Sequence, residues 1–211
     1  MESMPILTYA IMAITCIISY AAFNNPSLKS RLLFHPNTIK RQRQWDRFLG
    51  HGFIHSGWSH LIFNMVTMYF FGQNVELAFK VYFGQTMGAV HFLLLYFVGM
   101  AMASVYSYFK YQDNPGYAAL GASGAVSAAL FASIIIYPGS SLMIFPLPIP
   151  IPAIIFGPLY LAYSVYMGKK GRDNIGHDAH FFGAIFGIIY PLAVKPDLVL
   201  LFIEKVKNMI G

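Results

Sequence analysis

Charge is spaced along this sequence so that five long stretches carry none: Ser3–Leu28, Phe48–Val75, Val81–Phe109, Asn114–Gly168 and Ala179–Val194. Crossing the hydrocarbon core takes about 20 apolar residues per helix, so the fourth run holds two helices and each of the others one. The spacing predicts an all-α, polytopic membrane protein with six transmembrane helices, at about residues 5–23, 58–79, 85–109, 123–137, 153–167 and 179–194. Composition agrees, since charged residues make up 10% of the chain against about a quarter in soluble domains. Residues 1–211 read as a single membrane domain, with no room for a separate soluble one.

The first apolar segment reads as a retained helix. It is long for a signal peptide and is preceded by Glu2 rather than by basic residues. Cys16 is the lone cysteine, which excludes a disulfide framework. The net charge of +6 suits anionic lipid headgroups; nucleic acid would need a soluble basic face, and the chain has none. Six cations (Lys29, Arg31, Lys40, Arg41, Arg43 and Arg47) share the Asn24–Gly50 loop with Leu32, Leu33, Phe34 and Trp45. That mixture fits an element lying in the membrane interface. Pro138 through Pro152, with Pro146 and Pro148 between, cannot continue a helix. The tail over 196–211 is too short to span and fits the membrane surface.

Polar side chains at membrane depth are costly, so each one is a candidate for function. The second helix and its approach carry His51, His55, His60 and Asn64, the last two four apart on one face. His91, near a helix end, reads as an interfacial residue. Ser123 opens the fourth helix between Gly121 and Gly124, and by itself reads as a small residue that lets helices approach. On the sixth helix Gly183 and Gly187 form another small-residue face, and His180 lies one turn earlier on that face. A serine hydroxyl becomes a nucleophile when a histidine takes its proton. Glycines on both helices would bring Ser123 and His180 within reach, and His60 with Asn64 could donate to an oxyanion. No carboxylate completes a triad, because Asp178 points to another face; the pattern is a serine–histidine dyad. Three histidines could share a metal, but no acidic or cysteine partner joins them, so neither metal nor cofactor is expected. A soluble hydrolase elbow fails because position 125 is Ala125.

Together these residues resemble the rhomboid intramembrane serine proteases in their basic six-helix bacterial form. The likeness rests on His51, His55, His60 and Asn64 at the family's spacing, on Gly121-Ala122-Ser123-Gly124, and on Ala179-His180 followed by Gly183 and Gly187. Glu76 and Arg47 fall where the family has an acidic and a basic residue. The resemblance implies an endopeptidase that cleaves transmembrane segments of single-pass membrane proteins, in the cell inner (plasma) membrane. Ser123 would attack, His180 would act as base and then acid, and His60, Asn64 and the Ser123 backbone would hold the oxyanion. Arg47, Glu76, Gly121, Gly124, Gly183 and Gly187 would be structural supports. The fifth helix and the proline-rich loop before it would flank the route by which substrate arrives. A derlin-like, catalytically silent binder is the alternative; such proteins lose the serine or the histidine, and both are present here.

The sequence departs from the family pattern at two points. Trp45 stands one position early, with Asp46 before Arg47, and Ser127 replaces a tyrosine that supports the histidine ring. The volume left at Ser127 is expected to be filled by an aromatic, with Phe181, Phe182 and Phe63 as candidates. The rival is a hydrogen bond from Ser127 to His180. Orientation sets two arguments against each other. The family places the first loop outside the cytoplasm, whereas that loop and the third and fifth hold ten of the fourteen cations, which favours the inside. The family orientation is expected here, because a folded interfacial loop differs from a short tether. Reporter fusions at the two termini should both report the cytoplasm; an external C-terminus would reverse the assignment.

Overall fold

The computed structural model describes residues 4–144, 147–170 and 176–210. Pro146, Arg172, Asp173 and Gly211 lie outside the described residues. The first helix, α1, is Ile6–Phe23. Three short helices follow, α2 (Pro26–Leu32), α3 (Pro36–Gln42) and α4 (Arg47–Gly50), then a single 3₁₀ turn at His51–Phe53. The basic composition of this stretch predicts an interfacial loop, yet the sequence carries helix-start signals. Asn25 before Pro26 and His35 before Pro36 each place a capping side chain ahead of a proline at the first helical position. Asn25 Oδ1 accepts the Leu28 N–H at 3.0 Å, and His35 Nδ1 accepts that of Thr38 at 3.3 Å.

Helix α5 (Trp58–Thr67) runs through a π-helical turn, Met68–Gly72, into α6 (Gln73–Tyr111). Gly84, at φ 79° and ψ 169°, breaks α6 and sends its second arm back. Only glycine adopts such a backbone without strain. Counted from the start of α5, the stretches on either side of Gly84, 58–83 and 85–111, each exceed the about 20 residues of one span. Among the described residues, Ile6–Phe23, the Trp58–Tyr111 stretch and His177–Val194 are long and apolar enough to cross a membrane. The bundle is completed by the shorter α7 (Ser123–Ile136), by α8 (Ala153–Lys170) and by α9 (His177–Val194). The tail forms α10 (Asp197–Ile210).

One feature departs from an all-helical expectation. Between α7 and α8 the chain forms an antiparallel hairpin, β1 (Ser141–Ile144) with β2 (Leu147–Pro152), pairing Leu142 with Ile151. Prolines 148, 150 and 152 alternate, so all three missing N–H groups fall on one edge of β2 and the other edge can still pair. The hairpin sits at the end of α7 away from Ser123, about 21 Å along the helix. Of the pair expected to flank the substrate route, α8 packs against both α7 and α9.

Helix α7 is the centre of the bundle, with every residue from Gly124 to Ile136 buried. Its small residues let neighbours come close. A methyl on Gly183 of α9 would collide with the Gly124 backbone, and one on Gly187 with the Ala128 backbone. From the other side, a methyl on Gly124 would stand 2.6 Å from the Ala103 methyl of α6. His91 Nδ1 pairs with Tyr190 Oη at 2.9 Å, joining α6 to α9.

The helix ends are satisfied by long side chains from elsewhere. Glu76, fully buried, accepts from Leu7 N at 3.1 Å, Thr8 N at 2.7 Å and Thr8 Oγ1 at 2.8 Å, and Lys80 Nζ lies 2.6 Å from it. These are first-turn N–H groups of α1, where a carboxylate is stabilised by the helix dipole. Arg47, also buried, donates to Ser30 O (2.9 Å) and Leu33 O (2.7 Å), the carbonyl end of α2, and to Gln44 Oε1. Lys205 of α10 donates to Ile136 O at 2.8 Å, the last carbonyl of α7.

The α7–α9 contact makes a direct prediction. Gly187→Ala would press a methyl on backbone that has no rotamer to escape into, and should cost about 1–3 kcal/mol of stability. Denaturation in mixed micelles measures it. An unchanged midpoint would mean that the two helices are not held at backbone distance.

Candidate active site

The segment leading to Ser123 is held by the first loop. Phe34 N–H bonds to Ala119 O and Ala119 N–H to Phe34 O, both at 2.9 Å. Gly121 N–H then donates to His51 O at 2.9 Å, and Ala122 N–H approaches His55 Nε2 at 3.4 Å. Lys40 and Asp113, 2.7 Å apart, tie the same two loops further out. Backbone donors ahead of Ser123 are thus spent on loop partners, and the chain enters α7 in a fixed conformation.

His55 holds a definite tautomer. Ser19 of α1 donates its hydroxyl hydrogen to Phe53 O at 2.9 Å, so it must accept from His55 Nδ1 at 2.8 Å. His55 therefore carries its proton on Nδ1, and Nε2 is free to accept from Ala122. Ser104 Oγ lies 3.1 Å from His51 Nε2 and 3.2 Å from Met100 O. His51 and His55 are scaffold in this geometry.

His60 is different. Gly121 sits at φ 115°, a conformation reserved for glycine, and its missing side chain leaves room for the His60 ring. A methyl there would lie 2.6 Å from His60 Cε1 and 2.8 Å from Nε2. Ser56 Oγ pairs with His60 Nδ1 at 3.1 Å, leaving Nε2 as the nitrogen beside the Gly121–Ser123 segment. Asn64, one turn on and buried, donates from Nδ2 to His60 O at 3.0 Å, which leaves one amide hydrogen for another acceptor. The His55 ring stands edge-on to His60 at 4.9 Å.

Ser123 and His180 lie at one level of the α7–α9 contact. Gly183 rests on the Gly124 backbone, the residue after Ser123, and His180 is one turn before Gly183. A methyl on Gly124 would also come within 3.7 Å of Ala179 O, the residue before His180. Both Ser123 and His180 are half-buried. Asp178, two residues from His180, turns away to Lys110 at 2.9 Å. Glu76 is at the far end of the bundle with the start of α1. No described carboxylate joins Ser123 and His180.

Around these residues the chain also matches known sequences. The profile of the Rhomboid domain covers residues 42–196. The chain belongs to the rhomboid family. It is also 26% identical over 179 residues to an Arabidopsis thaliana protein named RHOMBOID-like protein 12, mitochondrial, across 82% of this chain and 53% of that one. The chain thus spans about half the length of the curated relative it matches. Rhomboid membership and the apolar helices make it a multi-pass membrane protein.

In this rhomboid the space at Ser127 is filled from an unexpected direction. Tyr160 of α8 places its hydroxyl 2.9 Å from Ser127 Oγ and stacks its ring on His180, centroids 6.4 Å apart and planes 24° from parallel. The expected fillers are elsewhere: Phe182 stacks on Tyr106 at 4.9 Å with Phe181 edge-on to it, and Phe63 is exposed. The hydroxyl of Ser127 is engaged by Tyr160. A gap beside a histidine in a dense interior does attract an aromatic. Which helix supplies it depends on the rotation of α8, for which the sequence has no marker. Ser19, Ser56 and Ser104, which pair with the histidines, likewise carry no marker in the sequence, since serine is common in apolar helices.

His51 and His55 lie ahead of α5, outside the spanning helices. Burial lowers the His51 imidazole from 6.5 to about 4. Burial, followed by the neighbouring His60 and His51, lowers His55 to about 3. Both stay neutral in the folded chain, whereas the unfolded chain takes up their protons near 6.5. The unfolded state therefore binds more protons below 6.5, and the stability these residues contribute is complete above that pH and lost as pH falls towards 4 and then 3. Denaturation midpoints in detergent should fall on acidification through this window, and less steeply in His55→Gln. A midpoint that rises on acidification contradicts the assignment.

Proposed function

We propose that this rhomboid is an intramembrane serine endopeptidase that cleaves transmembrane segments of single-pass membrane proteins. The observation that carries the reading is the backbone contact of Gly124 with Gly183, which sets Ser123 and His180 at one level on adjoining helices. His180 takes the Ser123 proton as Oγ attacks the scissile carbonyl, and returns it to the leaving amine. His60 Nε2, an Asn64 amide hydrogen and the Ser123 N–H, at the exposed start of α7, are the donors for the oxyanion. Asp178 being committed to Lys110, we read the unit as a dyad. Six spans carry this site, the Ser123 end faces away from the cytoplasm, and the membrane is the cell inner membrane, by likeness to the basic six-helix form. The relative named above is mitochondrial by its printed name, so fractionation against markers of both membranes tests the location.

A catalytically silent rhomboid-like binder would share this fold. Labelling of Ser123 by a serine-reactive probe, dependent on His180, separates the two. Against a panel of single-pass membrane proteins, Ser123→Ala and His180→Ala should each abolish cleavage while the protein still inserts and folds. The double variant should be little worse than either, because the two side chains act as one unit. His60→Ala or Asn64→Ala should lower turnover by roughly 10–1000-fold per lost donor. Undiminished proteolysis by purified Ser123→Ala would falsify the serine mechanism.

A further inference from the structure

We propose that Tyr160 of α8 is the positioning residue for the His180 imidazole, performing from another helix what an aromatic at position 127 of α7 would perform. The proposal rests on the reading of Ser123 and His180 as the catalytic pair. A general base works only when its ring is held in one orientation, and a third group ordinarily does this through a hydrogen bond. Asp178, two residues away, is committed to Lys110 at 2.9 Å. An aromatic face laid against the imidazole is a further means of holding the plane of the ring.

Two rings bracket His180. His177 stands edge-on at 6.0 Å and 75°, backed by Tyr163 of α8, and Tyr160 lies nearly parallel at 6.4 Å and 24°. Tyr160 is itself fixed at three points. Its hydroxyl pairs with Ser127 Oγ at 2.9 Å, and its ring meets Phe131 at 5.5 Å and Phe156 at 5.6 Å. The hydroxyl thus reports the position of α7, one turn beyond Ser123, while the ring face reports that of α9. One side chain references the base to the helix that bears the nucleophile. Helix α8 is otherwise shallowly packed, with only Ala153, Gly157 and Ser164 buried along it. Gly157 lies one turn before Tyr160, and a methyl there would be 3.5 Å from Phe131, ordinary contact. Tyr160 is the means by which α8 reaches the site. Ser127 is part of the same device: a larger side chain on α7 would occupy the position of the incoming ring.

The test uses the full-length protein in detergent with a cleavable single-pass substrate, measuring kcat and KM separately, probe labelling of Ser123, and the thermal midpoint. Misplacing a reacting group by about 1 Å costs on the order of 100-fold, so Tyr160→Ala and Tyr160→Leu should lower kcat and the labelling rate by about that factor with KM little changed. Tyr160→Phe keeps the ring and should lose only about threefold, and Ser127→Ala should add nothing further to it because both remove one hydrogen bond. Moving the ring back to α7 in Ser127→Tyr/Tyr160→Ala should recover most of the lost kcat, a rescue that a merely structural role would not give. A folded Tyr160→Leu with unchanged kcat, a loss confined to KM, or a folded double variant as slow as Tyr160→Ala overturns the proposal. So does failure of both single variants to fold, which would make Tyr160 a packing residue. An unlabelled, inactive wild-type protein would instead defeat the protease reading itself.

Discussion

The backbone contact between α7 and α9 is the constraint on which the rest of this structure depends. Lipid tails are as apolar as the side chains of these helices, so burying apolar surface gives little drive for helices to associate. What remains is close van der Waals contact, and that is greatest where no side chain intervenes. Gly183 against Gly124 and Gly187 against Ala128 give such contact over two successive turns. The same pair of turns fixes the rotation of both helices, and hence which side chains face one another. Ser123, one residue before Gly124, and His180, one turn before Gly183, inherit that register. The packing motif and the candidate catalytic motif are one set of residues seen for two purposes.

Where helices end, the bilayer imposes a second constraint, because unpaired N–H and C=O groups have little water to turn to. This chain answers with charged side chains reaching in from other elements. Glu76 takes the first N–H groups of α1, Arg47 the last carbonyls of α2, and Lys205 the last carbonyl of α7. In each case the sign of the side chain matches the helix dipole, negative at the amino end and positive at the carbonyl end. These links also join elements far apart in sequence, 69 residues in the case of Lys205 and Ile136. A residue that looks like a helix-terminating charge in the sequence is therefore a tie across the bundle.

The parts of this architecture legible in the sequence were those with one-dimensional signatures. Charge-free runs marked the apolar helices, and glycines at four-residue spacing marked the α7–α9 contact. Rare polar types, His60 and His180 among them, stood out in apolar surroundings. The short helices of the first loop had their signature too, in Asn25-Pro26 and His35-Pro36, but its basic composition drew attention to the interface instead. The β-hairpin was concealed by prolines whose effect depends on alternation along an edge. Tyr160 had no signature at all. It lies 33 residues from Ser127, and the contact arises only from the rotation and depth of α8.

That last contact separates a motif from the job the motif does. A tyrosine four residues after the serine can support the histidine because α7 and α9 are adjacent, and sequence spacing then stands in for geometry. The physical requirement is weaker: an aromatic face beside the imidazole and an anchor that holds the face still. Tyr160 meets the first through its ring and the second through Ser127, and the small side chain at 127 is what makes space for it. The support now belongs to a helix that is bound to the bundle over little buried surface. The His180 ring is thereby in contact with α8, whereas a tyrosine on α7 would set it against a helix buried from Gly124 to Ile136.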